Sequence, residues 1–219
     1  MTAFPGSPRL LKGGIVLVDP ETSAVQRIIA LQYNPDSLTR TLKVQSTGEE
    51  GGDRTEALRL KGPPVETINL DAEIDAADQL EFPEENSAAA RNGIHPQLAA
   101  LETVVYPTSS QLLENNRLAQ SGTLEIAPMQ GPLTLFVWSQ NRILPVRLTD
   151  FTITEEAFDP LLNPIRARVS LGMRVLSVDD LGLSHKGGSL YLIYQQQKER
   201  LAVLGRGGPL SAFGIGEIP

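Results

Sequence analysis

Between Ile165 and Val175 every second residue is apolar: Ile165, Ala167, Val169, Leu171, Met173 and Val175, with Arg166, Arg168, Ser170, Gly172 and Arg174 between them. A period of two puts the two sets on opposite sides of an extended chain, which predicts a β-strand with one buried face. Upstream the parity breaks. Val146 and Leu148 share one face, whereas Phe151 and Ile153 share the other. A slip of one residue turns every later side chain to the wrong side. A β-bulge near Thr149-Asp150 is therefore predicted, restoring the apolar face and bending the strand. Phe158-Asp159-Pro160-Leu161-Leu162-Asn163-Pro164 then predicts a turn with two leucines at its tip. Leu133–Trp138 predicts a further strand, closed by a turn at Ser139-Gln140-Asn141.

The same reading extends to the rest of the chain. Residues 14–18 and 25–33 are β-rich runs separated by a turn at Asp19-Pro20. Pro35 turns the chain again, and Leu38–Gln45 resumes as a strand, predicting a hairpin. Residues 46–64 are rich in Gly and acidic side chains and read as a long loop. Leu58 and Leu60 in this loop either tuck back on their own sheet or dock on a neighbouring subunit. In Val65–Ile74, Ile68, Leu70, Ala72 and Ile74 share one face, and Thr67, Asn69, Asp71, Glu73 and Asp75 form the other. A solvated face or an intersubunit contact suits that acidic row better than a cation site.

His95-Pro96 opens a predicted helix with Leu98, Leu101 and Val105 at helical spacing, and His95 reads as the residue just before it. Residues 107–131 read as irregular, with a short helix at Gln111–Ala119. Residues 178–188 read as loop or broken helix. Residues 189–204 predict a helix with Leu190, Ile193, Tyr194, Leu201 and Leu204 on one face and Gly205 as its cap, followed by a Gly-rich tail that orders on a partner.

Composition removes several function classes. A chain of 219 residues makes one large or two small domains. Aromatic residues are 5%, so the core rests on Leu, Ile and Val. The net charge of −7 argues against nucleic acid as the main partner. There is no Cys, which excludes disulfides, thiolate catalysis and Cys-based zinc sites. His95 and His185 are the only imidazoles and lie far apart in sequence, so no metal site and no cofactor is expected. No phosphate-binding Gly loop, Gly-x-Ser-x-Gly or His-Glu-x-x-His motif occurs. Glu155 and Glu156 are adjacent on a predicted strand and point to opposite faces, so they cannot act as a carboxylate pair. No enzyme is expected.

Charge is unevenly spread. Residues 46–95 hold 12 acidic and 4 basic residues, and the remainder is close to neutral and rich in Arg. This suits head-to-tail contacts between copies, and it equally suits an acidic loop kept for solubility. No signal peptide is expected at the N-terminus, and the apolar runs fall far short of the ~20 residues of a membrane helix. No membrane association is expected. The elements together predict a mainly β fold with helices, a sandwich or barrel that assembles through its edges.

Several segments, in order, carry a resemblance: Tyr33–Arg40, Leu58–Pro64, Thr67–Ile74, His95–Leu101, Pro132–Trp138 and Phe158–Leu171. Over residues 14–178 the chain resembles the tube-type baseplate adaptors, or tube initiators, of contractile injection systems. These are related to phage tail tube proteins and the type VI secretion tube protein. The resemblance implies two packed antiparallel sheets with a flanking helix, preceded by an arm (1–13) and followed by a C-terminal helical extension with a Gly-rich tail (179–219). It implies a homo-hexameric ring whose strands form a continuous inner barrel. Its partners would be the spike protein, the inner tube protein and other baseplate subunits. Assembly would take place in the bacterial cytoplasm, within a phage-tail-like particle that can be released. Adaptors of this kind often carry a peptidoglycan-binding LysM module after the tube-like domain. The roughly forty residues that follow here lack its pattern, which puts cell-wall binding in doubt.

The interface residues expected on this reading are Leu58 and Leu60 in the loop and Leu161 and Leu162 at the tip. To these are added Arg166, Arg168 and Arg174 on the outer face, and Tyr191 and Tyr194 on a helix that docks on a baseplate or spike partner. The arginine row would line a ring's channel or meet an acidic neighbour, unless it is simply a solvated face. Two other readings stand beside this one. One is the repetitive inner tube protein itself, which stacks without limit where an adaptor stops after one ring. The other is a monomeric β-barrel binding a small ligand in a closed apolar pocket.

Overall fold

The computed structural model of the chain describes residues 11–45, 59–121, 131–205 and 207–218. Seven strands form one hydrogen-bonded antiparallel order: β1 (Gly14–Val18), β2 (Val25–Ala30), β3 (Thr39–Lys43), β4 (Val65–Asp75), β5 (Leu133–Ser139), β6 (Arg142–Phe158) and β7 (Pro164–Val175). The order across the sheet is β2-β1-β5-β6-β7-β4-β3. Helices are α1 (Ala77–Leu80), α2 (Ser87–Asn92), α3 (His95–Glu102), α4 (Ser109–Gln120), α5 (Val178–Leu181) and α6 (Lys186–Leu204), followed by a 3-10 turn at Leu210–Phe213. The protein is mainly β with helices, as its alternation predicts.

The register follows the apolar parity. Across β4 and β7, Ile68 faces Met173, Leu70 faces Leu171, Ala72 faces Val169 and Ile74 faces Ala167. All eight are buried. Burying each large aliphatic side chain here contributes roughly 1.5–3 kcal/mol, and a one-residue slip would forfeit all of them at once. The bulge lies where the parity change puts it. Leu148 pairs with Met173 and Asp150 with Gly172, which leaves Thr149 as the extra residue, so Phe151 and Ile153 return to face Leu171 and Val169.

β6 joins the two ends of the sheet. Its first residues pair with β5 and the remainder pairs with β7. One core cluster holds Ile15 and Leu17 of β1, Phe136 of β5, the inner faces of β4, β6 and β7, and Leu98 and Leu101 of α3. Tyr191 and Tyr194 belong to the same cluster, so α6 shares the core of the strands.

Three local expectations need correction. β2 and β3 do not form a hairpin, because they are the two outermost strands at opposite ends of the order. Side chains in the 31–38 connection fasten it to other segments. Asn34 accepts from the Gly13 amide (2.9 Å) and donates to the Leu11 carbonyl (2.7 Å), while Gln32 bonds both backbone groups of Asp75 (2.6 and 2.9 Å). α3 ends at Glu102, so Val105 is exposed instead of continuing the buried stripe, and His95 is the first helical residue. The buried stripe of α6 is Gly187, Gly188, Tyr191 and Tyr194, whereas Ile193, Leu201 and Leu204 are exposed. A Cβ at Gly188 would collide with the Gly182 carbonyl oxygen, so the two glycines let α6 close on the α5 turn and thereby select the face that packs.

Candidate functional site

The outer face of the β6-β7-β4 half is polar. In the ladder, Asp75 stands opposite Arg166, Glu73 opposite Arg168 and Asp71 opposite Ser170. The other flank of β7 meets Glu156, Thr154 and Thr152 of β6. The Arg166 Nε donates to the Asp75 carboxylate at 2.7 Å, and Arg168 lies 3.8 Å from Glu73. Arg174 reaches Asp180 of α5 at 2.8 Å. All three arginines are thus matched by acids of their own chain. Burial alone would push Asp75 up, but the Ala77 amide and Arg166 outweigh it and hold the carboxyl below its ordinary value. The acidic row is the counterpart of the arginine row. Among the described residues no group of three or more Asp, Glu or His side chains is placed to hold a metal ion.

The hairpin tip is apolar and tightly held. Leu161 and Leu162 are each 78% exposed, and Leu162 has φ +66°, a left-handed conformation that is costly for a branched side chain. Asp159 fixes the turn by accepting from the Leu161 amide (2.7 Å), the Asn163 amide (2.8 Å) and the Asn163 side-chain NH2 (2.8 Å). The Asn163 side chain leads this list of bonds that keep the Asp159 carboxyl below its ordinary value. Asn163 also donates to the Arg91 carbonyl at the end of α2 (3.3 Å). The tip is a pre-organised knob, and its two leucines have no apolar cover.

Sequence reasoning missed a buried ionic cluster behind α6. Glu66 is only 2% exposed and accepts from the Arg40 Nε at 2.7 Å. Arg40 Nη2 donates to the Tyr194 hydroxyl at 2.9 Å, and the Lys198 ammonium sits 4.4 Å from the Tyr194 ring centroid. Burial pushes the Tyr191 and Tyr194 phenols up and the Lys198 ammonium down. The cluster ties α6 to β3 and β4. Its signal was present in the pattern, because Glu66 shares the parity of Ile68 and Leu70 and is therefore an acid on the apolar face of β4.

The expected contact residues divide accordingly. Leu161 and Leu162 are free at the tip. Leu60 is 73% exposed and does not tuck onto the sheet, whereas Leu58 lies outside the described residues. Arg166, Arg168 and Arg174 are surface residues already engaged within the chain. Tyr191 and Tyr194 are core residues and are not available to a partner.

The sheet is open. No strand pairs with the outer edge of β2 or of β3 among the described residues, and Val25, Ile28, Leu42 and Val44 on or beside these edges are exposed. Such edges are templates for pairing with another chain. A cleft of about 430 Å³ lies between the β5-β6 end and α5, with Val104, Leu133, Leu148, Leu181 and His185 in its lining. No described helix is long and apolar enough to cross a membrane. Among known proteins, no family model and no curated protein matches the chain.

Proposed function

We propose that this chain is a ring-forming structural subunit of a contractile injection particle, joining the spike and baseplate to the inner tube and initiating tube assembly. The supporting observation is the open antiparallel sheet. β2 and β3, whose outer edges are unpaired among the described residues, stand at opposite ends of the order, so edge-to-edge pairing of copies would continue the sheet from one subunit to the next. A closed ring of such copies is an inner barrel without free edges. The apolar knob at Leu161 and Leu162 supplies a second contact suited to another ring or to a partner layer. The resemblance carried by residues 14–178 implies a ring of six copies, with the spike protein, the inner tube protein and other baseplate subunits as partners. It also implies assembly in the bacterial cytoplasm. The role is structural and assigns no catalytic residue and no cofactor.

A monomeric ligand-binding barrel fits less well, because the sheet of the described residues is open at both ends and closes no barrel. Electron microscopy of the chain alone and co-produced with spike and tube proteins is the test. Single rings at the spike–tube junction support the initiator role, and unlimited filaments of the chain alone support the repetitive tube protein. A strict monomer that joins neither sinks both.

A further inference from the structure

Behind α6 three cations from three elements gather around one phenol. The Gln197 side chain donates to Asn141 at 2.6 Å and holds α6 against the β5–β6 turn. Arg142, the first residue of β6, follows directly. Tyr194 and Lys198 lie one helical turn apart on α6, with the Lys198 ammonium 4.4 Å from the Tyr194 ring centroid. Arg40 approaches from β3, and its Nη2 donates to the Tyr194 hydroxyl at 2.9 Å. Burial and then Glu66 push this phenol up, while Arg40 and Arg142 pull against them, which places Arg142 beside the same hydroxyl.

One buried acid answers these cations. Glu66 is already taken by the Arg40 Nε at 2.7 Å. Glu199 follows Lys198 in sequence, but its carboxylate accepts from the Gln195 side chain (3.4 Å) in the neighbouring row of the helix. Neither Arg142 nor Lys198 forms an ion pair among the described residues. Lys198 is half-buried, and desolvation pushes its ammonium down ahead of the opposing pull of Glu66. Hydrogen bonding shows the same imbalance. The Tyr194 hydroxyl accepts from Arg40, and among the described residues no hydrogen bond takes up its own proton. Guanidinium and ammonium groups only donate. A residue only 5% exposed thus turns its hydroxyl towards donors and lacks an acceptor.

We propose that this cluster binds a small oxyanion, phosphate or a short carboxylate, between Arg142, Lys198 and the Tyr194 hydroxyl, and that the anion fastens α6 to β3 and to the start of β6. Its oxygens would take up the phenolic proton and N–H groups of both cations, and its charge would offset theirs. The size of the ligand follows from burial. The Tyr194 ring is core and meets no protein surface, whereas an anion of a few atoms would approach its hydroxyl past Arg142 and Lys198, which are both half-buried. The site stands apart from the ring-forming role proposed above and does not depend on it.

Calorimetric titration of inorganic phosphate, and separately of acetate, into the full chain at low salt is the test. At least one of the two should bind at one site per chain. Arg142→Met and Lys198→Met should each weaken that binding about tenfold, the worth of one charge-assisted hydrogen bond. Tyr194→Phe keeps the aromatic ring and loses only the hydroxyl, and it should weaken binding about three- to tenfold. Arg147→Met removes an exposed guanidinium of the same strand outside the cluster and should leave binding unchanged. Circular dichroism confirms that each variant is folded. The bound anion should also raise the melting temperature of the wild type more than sodium chloride at equal ionic strength does, and that excess should vanish in Arg142→Met/Lys198→Met. Phosphate and acetate that both fail to bind, or that bind Arg142→Met and Lys198→Met as well as wild type, overturn the proposal. Binding of a hexaglutamate peptide with neither small anion overturns it too, and assigns the cluster to an acidic segment of a partner.

Discussion

Replacing Arg40 with methionine tests the buried cluster that fastens α6 to the sheet. The Glu66 side chain is 3% exposed and the Arg40 side chain 26%, so the pair is asymmetric. Arg40→Met leaves a carboxylate with almost no access to water and removes the donor to the Tyr194 hydroxyl. Stranding a buried charge in this way costs about 3–5 kcal/mol. That is a large part of the 5–15 kcal/mol that typically holds a domain together. For a chain of this size the melting temperature should fall by roughly 6–20 °C. Glu66→Gln should cost less, on the order of 1–2 kcal/mol, because the stranded Arg40 can still reach solvent. Arg40→Met/Glu66→Met removes both charges and should recover most of the loss, since apolar replacement of a whole buried pair is close to neutral. Urea and thermal unfolding of wild type and the three variants measure these losses, and Glu66→Met as a further single variant closes the cycle. A loss below about 1 kcal/mol for Arg40→Met, or a double variant weaker than the single one, would refute the reasoning.

Leu161→Asp/Leu162→Asp should abolish higher assembly while changing unfolding free energy by no more than about 0.5 kcal/mol, because both side chains are exposed; particle counts in micrographs and urea midpoints check the two halves. Asp75 has its carboxyl held below its unfolded value, so its contribution to stability is present above about pH 4 and lost as pH falls through the lower folded value. The stability difference between wild type and Asp75→Asn, read from urea midpoints at pH 6 and pH 3, should therefore shrink at pH 3. Gly188→Ala places a Cβ against the Gly182 carbonyl oxygen and should cost about 1–3 kcal/mol, with faster protease cleavage near residue 185 as α6 loosens.

Much of this fold was legible wherever one face of a strand is buried. The alternation in β4 and β7 and the parity change at Thr149 located strands, register and bulge, because a period of two records burial directly. The failures lie where tertiary packing overrides local pattern. Tyr33-Asn34-Pro35 has hairpin composition, but the Asn34 and Gln32 side chains bind Gly13 and Asp75 and carry the chain across the fold. α6 offers two candidate apolar faces, and the glycines at 187 and 188, through their close approach to α5, decide between them. Tyr191 and Tyr194 became core residues for that reason. The arginine row looked available because a single strand does not reveal its partner, and only the β4-β7 register shows Asp75 and Glu73 across from it. Glu66 was readable as an acid on an apolar parity.

The most direct measurement is cryo-electron microscopy of the chain co-produced with its spike and tube proteins. The expected image is one ring of this subunit between spike and tube, with the β2 edge of each copy paired to the β3 edge of the next. A uniform monomer absent from the particle, or a ring in which neither edge meets a neighbour, would contradict the central claim.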